Sequence, residues 1–404
     1  MNKELTFNFK KIVQTSVLLL LVIIIFCCNY FVEIKKNNAV IKNIRGDWGI
    51  IIIPKQRKII NGHVAPAPLY KIPQGMKFSN DSIESYLGFF KDSLDNKGRF
   101  KKQYLGNSTS FKINNDSIYI KNLSNGKWEF KWKFVSRKND TLKLAINNTT
   151  FVLFKKLNYN PDNSNNFDQI IFSSSGCYGS CPIIDISITK EGNILFQGEG
   201  YTTPLGFYSG KINHKTKNYI FNKFKYANPL KLKDSYSVNH TDDQSLTTTF
   251  VKNGKIIKTI SDYGMAGTKE LIWAYIAISN FHKKIHLKSL PLDEPFYPKL
   301  NYFSFKKGDL NLYLEKSESF YLWTELKKSK QTNGNFKSKY KVIFNGNYTY
   351  WGPDPNEARQ HKYEISSITT DGQFFKFEFK GKEPETYNLG YNFIERNFKE
   401  INFK

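Results

Sequence analysis

The sequence predicts a mainly β, multidomain protein of the α+β class, hung from an apolar N-terminal leader. Three observations predict it. Aromatic residues make up 16% of the 404 residues, and flat, stiff side chains suit the pleated, half-buried surface of a sheet. Strand-period alternation recurs in segment after segment, while helix-period patterns are few. The first thirty-six residues carry an unbroken apolar run behind a basic flank.

In that leader Lys3, Lys10 and Lys11 precede the run from Val17 to Cys28, and apolar character resumes from Tyr30 to Val32. Residues 12–32 are long enough to cross a bilayer core of about 30 Å. Residues 17–28 alone have the length of an export signal. Both readings leave the basic end in the cytoplasm and the rest of the chain outside it. A third reading takes Ile25-Phe26-Cys27-Cys28 as a loose bacterial lipoprotein box, with Cys28 as the lipidated residue. The expected location is therefore the bacterial cell envelope: membrane-anchored, extracytoplasmic, with residues 1–36 as anchor.

Residues 41–157 read as short strands. "GDWGIIII" opens the series, and "STSFKINNDSIYIKNL" and "GKWEFKWKFV" alternate. In the last stretch Trp128, Phe130, Trp132 and Phe134 are expected on one face. Such a meander closes into a barrel or a sandwich. Gly46 and Trp48 in "RGDWG" resemble the Gly-x-Trp opening of lipocalin-like domains, which implies a cup for a small apolar ligand. "NYNPDNSNN" then reads as a linker.

Residues 167–286 mix types. "DQIIFSSSG" and "PIIDISITKEGNILFQGEGY" read as strands, "NHKTKNYIFNKFKYAN" as a helix. "SLTTTFVKNGKIIKTISDYG" reads as a hairpin turning at Asn253-Gly254. "GTKELIWAYIAISNFHKKIH" reads as an amphipathic helix with Leu271, Tyr275 and Ile278 inward. The prolines of "SLPLDEPFYPKL" mark a second boundary, and 295–404 again reads as β.

Two cysteines, Cys177 and Cys181, sit in "SGCYGSCPI". Flanking glycines permit a sharp bend, and Pro182 disfavours helix at Cys181. In an oxidising envelope such neighbours form a disulfide. A reducible redox pair is the second reading. A metal site is the third, since zinc wants four ligands and no second cysteine pair exists outside the leader.

The motif Cys177-Tyr178-Gly179-Ser180-Cys181-Pro182, with the "ISITKEGNILFQGEGY", "GFYSGKI", "DSYSVNHTDDQSLTTTF" and "KIIKTISDYG" stretches that follow in order, resembles a bacterial family known as domain of unknown function 6438. The resemblance covers about residues 168–281. It implies an exported or anchored protein and carries over no catalytic role.

Other constellations have plainer explanations. His282 and His286 have the i, i+4 spacing of a metal-binding helix face, but Lys283 and Lys284 lie between them, and a basic helix end explains the run. His240 with Asp242 and Asp243 suggests acid–base work only if they converge in space; a turn before a strand explains them as well. "WGPDPNEARQH", from Trp351, reads as a turn-rich connection. No phosphate loop, nucleophile elbow, dinucleotide fingerprint or zincin motif is found.

The net charge is +25, yet only six basic residues are arginine and 54 are lysine, scattered along the chain. Nucleic-acid recognition leans on the arginine fork, so no nucleic-acid partner is expected. Anionic envelope polymer, lipid or another envelope protein fits such a surface better. The expected function is a non-enzymatic binding or interaction protein, without cofactor or metal. The alternative is a thiol-active or unrecognised envelope enzyme centred on the Cys177–Cys181 turn.

Overall fold

The structure is a computed structural model, and it describes residues 34–51, 73–94, 100–159, 166–290, 302–344 and 364–404, a short pairing of Ile59–Ile60 with His63–Val64, and five isolated positions in the first thirty. Cys28, most of residues 12–32, and the Trp351 to His361 stretch lie outside the described residues. Among the described residues no helix is long and apolar enough to cross a membrane. The chain divides into two compact units, 1–158 and 159–404.

The first unit is a closed eight-stranded barrel, which resolves the choice between barrel and sandwich. Its strands are β1 (Gly46–Ile50), β2 (Gly75–Phe78), β3 (Ser82–Leu94), β4 (Phe100–Asn114), β5 (Ser117–Lys121), β6 (Trp128–Lys138), β7 (Thr141–Ala145) and β8 (Phe151–Lys156). Each pairs antiparallel with the next, and β1 closes the ring against both β2 and β8. The tight β4–β5 turn follows from Asn115 and Asp116, both at positive φ as a two-residue hairpin turn requires. Trp48 is fully buried and packs with Phe78, Phe111, Ile118 and Leu144. Helical residues 34–44 lay Val40 and Ile44 against this core. Trp48 Nε1 donates to Ile44 O at 2.5 Å, and Arg137 lies over the Trp48 ring while donating to Asn43 O at 3.2 Å.

One expectation fails within the barrel. Trp132 and Phe134 face its core, but Trp128 and Phe130 are exposed by 41% and 47%. A bulge is the cause. Ile118, a core residue, pairs with Trp132, whereas the next residue, Tyr119, pairs with Phe130. One extra residue in β6 therefore turns everything before it to the other face. Lys112, Tyr119, Trp128 and Phe130 gather there, with Lys112 Nζ 4.8 Å from the Trp128 ring centre.

The second unit holds two sheets. The first has the order β13-β15-β14-β9-β10-β11-β12-β16, built from β9 (Gln169–Ser174), β10 (Ile183–Thr189), β11 (Asn193–Gly200), β12 (Gly206–Lys211), β13 (Ser235–Ser237), β14 (Ser245–Lys252), β15 (Lys255–Tyr263) and β16 (Leu287–Ser289). All pairings are antiparallel except β13 with β15. Asn253 and Gly254 form the β14–β15 turn, both at positive φ. One face is apolar. Ile170, Phe172, Ile184, Ile186, Phe196 and Phe250 pack there against α1 (His214–Ala227) and α2 (Lys269–Asn280). Asn213 caps α1 through Thr216 N, and Thr268 caps α2 through Leu271 N. Leu271, Tyr275 and Ile278 are buried, but so are Ile272, Trp273 and Ala274, so α2 is covered on most sides rather than amphipathic.

The second sheet runs β18-β17-β20-β21-β22-β23-β19, from β17 (Phe303–Lys307), β18 (Leu310–Tyr313), β19 (Lys330–Thr332), β20 (Tyr340–Phe344), β21 (Glu364–Thr370), β22 (Phe374–Lys380) and β23 (Lys382–Asn388). The C-terminal region is not purely β. It also contains α3 (Lys316–Lys328) and the short α4 (Phe393–Asn397), neither of which the strand-like patterning announced. Helix α3 is buried on nearly every side, with Phe320, Tyr321, Leu322 and Trp323 consecutive in the core, and such a helix shows no amphipathic period. Its core joins Ile171, Phe207 and Val251 of the first sheet to Phe305, Phe375 and Phe377 of the second.

Candidate functional site

The first sheet has a second face, and its centre is polar. Residues directly opposite in neighbouring strands share a face. Gln197 of β11 opposes Asp185 of β10, Asp185 opposes Ser173 of β9, Ser173 opposes Thr247 of β14, and Thr247 opposes Ser261 of β15. A row of five polar side chains thus crosses five strands. The isoleucines that alternate with Asp185 and Ser187 point the other way, into the α1–α2 core. A sheet with one polar face ordinarily turns that face to water. Here Ser173 and Asp185 are 0% and 1% exposed.

The first turn of α3 covers the row. Ser317 N donates to Thr247 Oγ1 at 3.0 Å, and the Ser317 and Thr249 hydroxyls lie 2.8 Å apart. Glu315 and Glu318 close a reciprocal capping box, with Glu315 N donating to Glu318 Oε2 at 2.9 Å. Burial pushes the Glu318 carboxyl up to about 7 and also raises Glu315.

Lys316 reaches down into the sheet and is almost wholly buried. Its ammonium donates to Glu199 Oε1 at 2.6 Å and to Ser174 O at 3.0 Å, and lies 3.4 Å from Asp185 Oδ2. Two of these contacts are hydrogen bonds, and Asp185 is held as an ion pair. Burial alone would lower the lysine pKa, but Asp185 and Glu199 outweigh it and hold the value above the ordinary lysine range. Burial holds the Glu199 carboxyl well above the usual range; Lys316 pulls the other way, and Asp185 adds to the rise.

Beside this clasp lies a cavity of about 200 Å³. Ser173, Ser175, Ser245, Thr247 and Ser261 line it from the sheet side. Tyr302, Glu315 and Lys316 line it from the other side. Burial raises the Tyr302 phenol, so it stays protonated as a donor. Ser175 Oγ accepts from Ser245 N at 2.9 Å and donates to Gly176 O at 2.8 Å. Ser173 Oγ is buried and has no hydrogen-bond partner among the described residues, and neither has either carboxylate oxygen of Asp185 opposite it.

The cysteine loop leaves the same strand. Cys177 and Cys181 are joined by a disulfide, with Cα atoms 5.6 Å apart. Gly179 N donates to Cys177 O at 2.8 Å with Gly179 at φ +153°, a conformation that favours glycine at this position of the motif. Gln244 Nε2 ties the loop at both ends, donating to Ser175 O and Pro182 O, each at 2.8 Å. Tyr178 N donates to Asp242 O at 2.9 Å, while its side chain is 89% exposed.

The loop from 240 to 245 does bring acid and base together. His240 Nε2 lies 2.5 Å from Asp243 Oδ2, whereas Asp242 contributes its carbonyl to Tyr178. The histidine pair 282/286 does not converge. Helix α2 stops at Asn280 and tightens into a 3₁₀ turn over Phe281–Lys284, which puts His282 in the core, stacked 4.5 Å from Phe196, and His286 in solvent. Burial lowers the His282 pKa to about 3, so the ring is neutral. Among the described residues no group of three or more His, Cys, Asp or Glu side chains has metal-binding geometry.

Sequence reasoning found the cysteine loop and missed Ser173, Asp185, Glu199 and Lys316. The available signal was the polar alternation Asp185–Ser187 inside an isoleucine strand. Nothing local says that a lysine more than a hundred positions later covers it.

Residues 168–282, just over a quarter of the chain, match a family described as a domain of unknown function (DUF6438). No curated protein and no solved structure matches the chain. The matched segment contributes Ser173, Asp185, Glu199 and the disulfide loop, while Tyr302, Glu315 and Lys316 come from outside it.

Proposed function

We propose that this chain is a membrane-tethered, extracytoplasmic binding protein that acts without catalysis, and that its ligand seat is the cavity beside the Cys177–Cys181 loop. One observation carries the reading: Ser173 lines the cavity, and its hydroxyl is buried with no hydrogen-bond partner among the described residues. Leaving a buried hydroxyl unpaired costs about 1–3 kcal/mol. A fold with no use for it does better with alanine. The two hydrogen bonds and the ion pair that hold the Lys316 ammonium support binding over chemistry, because an ammonium so held is a clasp rather than a free acid or base.

The apolar run at 17–28 behind Lys10 and Lys11 supports the tether, with Cys28 as the candidate lipidation site. The disulfide supports an oxidising compartment. The lysine-rich surface, with Lys112, Tyr119, Trp128 and Phe130 grouped on the barrel exterior, supports contact with anionic envelope lipid or polymer.

Fractionation combined with a thermal-shift screen tests the proposal. The full chain is expected in the membrane fraction, with residues beyond 36 open to external protease. A small polar compound is expected to raise the melting temperature of the parent chain more than that of Ser173→Ala. A cytosolic chain, or a ligand whose effect is equal in Ser173→Ala, contradicts it.

A second reading rests on the bond between Tyr178 N and Asp242 O, which holds the cysteine loop against the loop carrying the His240–Asp243 pair. In a thiol-active protein those groups would serve the reduced cysteines. Two readily alkylated, low-pKa thiols in the unreduced protein would favour it; an inert disulfide favours binding.

A further inference from the structure

We infer that the cavity takes a small neutral polyhydroxy compound of about the size of one sugar ring or cyclitol; this rests on the proposal above that the cavity is the ligand seat. Its size sets the first limit. About 200 Å³ equals roughly six or seven water volumes, which holds one ring but not a drug-sized ligand.

The lining chemistry sets the second limit. Four serines, one threonine and one tyrosine supply hydroxyls; Ser175 already donates to Gly176 O, and Thr247 already accepts from Ser317 N. That is the complement of a molecule whose own surface is hydroxyl. Charged ligands are poorly matched. An anion meets the Glu315 carboxyl in the lining, with Asp185 and Glu199 behind Lys316. A cation meets the Lys316 ammonium. A zwitterion needs a free cation for its carboxylate, and the Lys316 ammonium is already ion-paired with Glu199 and Asp185. The Glu315 carboxyl is likewise engaged in the capping box. The Ser173 hydroxyl has no hydrogen-bond partner among the described residues, and a neutral hydroxyl partner satisfies it without bringing an unpaired charge into a buried place. Ser245, Ser261 and Tyr302 add the same chemistry to the lining.

Saturation-transfer NMR on the full chain, held in a detergent without a sugar headgroup, tests the class. The neutral probes are myo-inositol, glucose and N-acetylglucosamine; the charged probes are inorganic phosphate, ethanolamine and glycine. A signal from a neutral probe is expected, with binding weakened about 3- to 10-fold in Ser173→Ala, the size of one lost neutral hydrogen bond. A parallel loss in Ser261→Ala places the ligand along the polar row, and an unchanged unfolding midpoint in both variants separates lost binding from lost fold. Binding of a charged probe alone, sensitive to Ser173→Ala, overturns the neutral class and leaves the cavity as the ligand seat. Neutral binding indifferent to both substitutions overturns the site for this class. Silence from every probe, neutral and charged, overturns the inference and the ligand seat together.

Discussion

Lys316 Nζ stands 2.6 Å from Glu199 Oε1, joining the first turn of α3 to β11. The pair links a C-terminal helix to the segment that matches the family and closes one side of the cavity. Lys316→Met removes the ammonium and leaves two carboxyls buried without it, which costs about 3–5 kcal/mol. Glu199→Gln added to Lys316→Met is expected to recover part of that loss. Urea unfolding of the single and double variants measures both, and full additivity of the two substitutions would show that the residues act independently.

The capping box gives a pH signature. A carboxyl raised from 4.5 to about 7 on folding holds its proton more tightly in the folded state. The stability it contributes is complete below the unfolded value and is lost as pH rises through about 7. The change corresponds to roughly 3 kcal/mol. Glu318→Gln keeps a capping acceptor and removes the titration. Unfolding free energies of parent and variant are therefore expected to diverge between pH 4.5 and 8, the parent falling relative to Glu318→Gln; parallel curves would contradict it.

The disulfide closes a short loop, and the chain-entropy relation gives it about 2 kcal/mol. Cys177→Ser with Cys181→Ser is expected to lower stability by that order while the unit stays folded. Hydrogen exchange is expected to quicken in residues 175–183 and at 242–245, where Gln244 and Asp242 hold the loop. Exchange rising throughout 159–404 instead would mean that the bond supports the whole core.

The β6 bulge separates two tryptophans that alternate in sequence. Trp132→Ala opens the barrel core and is expected to cost about 3–5 kcal/mol. Trp128→Ala, under Lys112 on the exterior, is expected to cost less than about 1 kcal/mol. Equal losses measured by chemical unfolding would place both on one face and remove the bulge.

Much of the fold is legible in local sequence. The barrel strands announce themselves by alternation, the Asn253-Gly254 turn by its backbone demands, and helix α1 by its period. Two errors have separate physical causes. A bulge shifts register by one residue, which no alternating pattern can signal from one strand alone. Helix α3 is buried all round, so its apolar residues run consecutively and mimic a strand. The candidate site was legible in part. The disulfide followed from two cysteines, two glycines and a proline within seven positions. The polar row was invisible because each member is an ordinary serine, threonine or aspartate on its own strand. Only strand pairing aligns Asp185, Ser173, Thr247 and Ser261, and only the distant Lys316 and Ser317 bury them.

The ligand seat is tested most directly by the unfolding free energy of Ser173→Ala against the parent chain, without ligand. If the hydroxyl serves a ligand and not the fold, the variant matches the parent within about 0.5 kcal/mol or exceeds it, because an unpaired buried polar group has been removed. A loss of more than about 1 kcal/mol would mean that the hydroxyl has a structural partner, and the cavity would lose its strongest mark as a binding site.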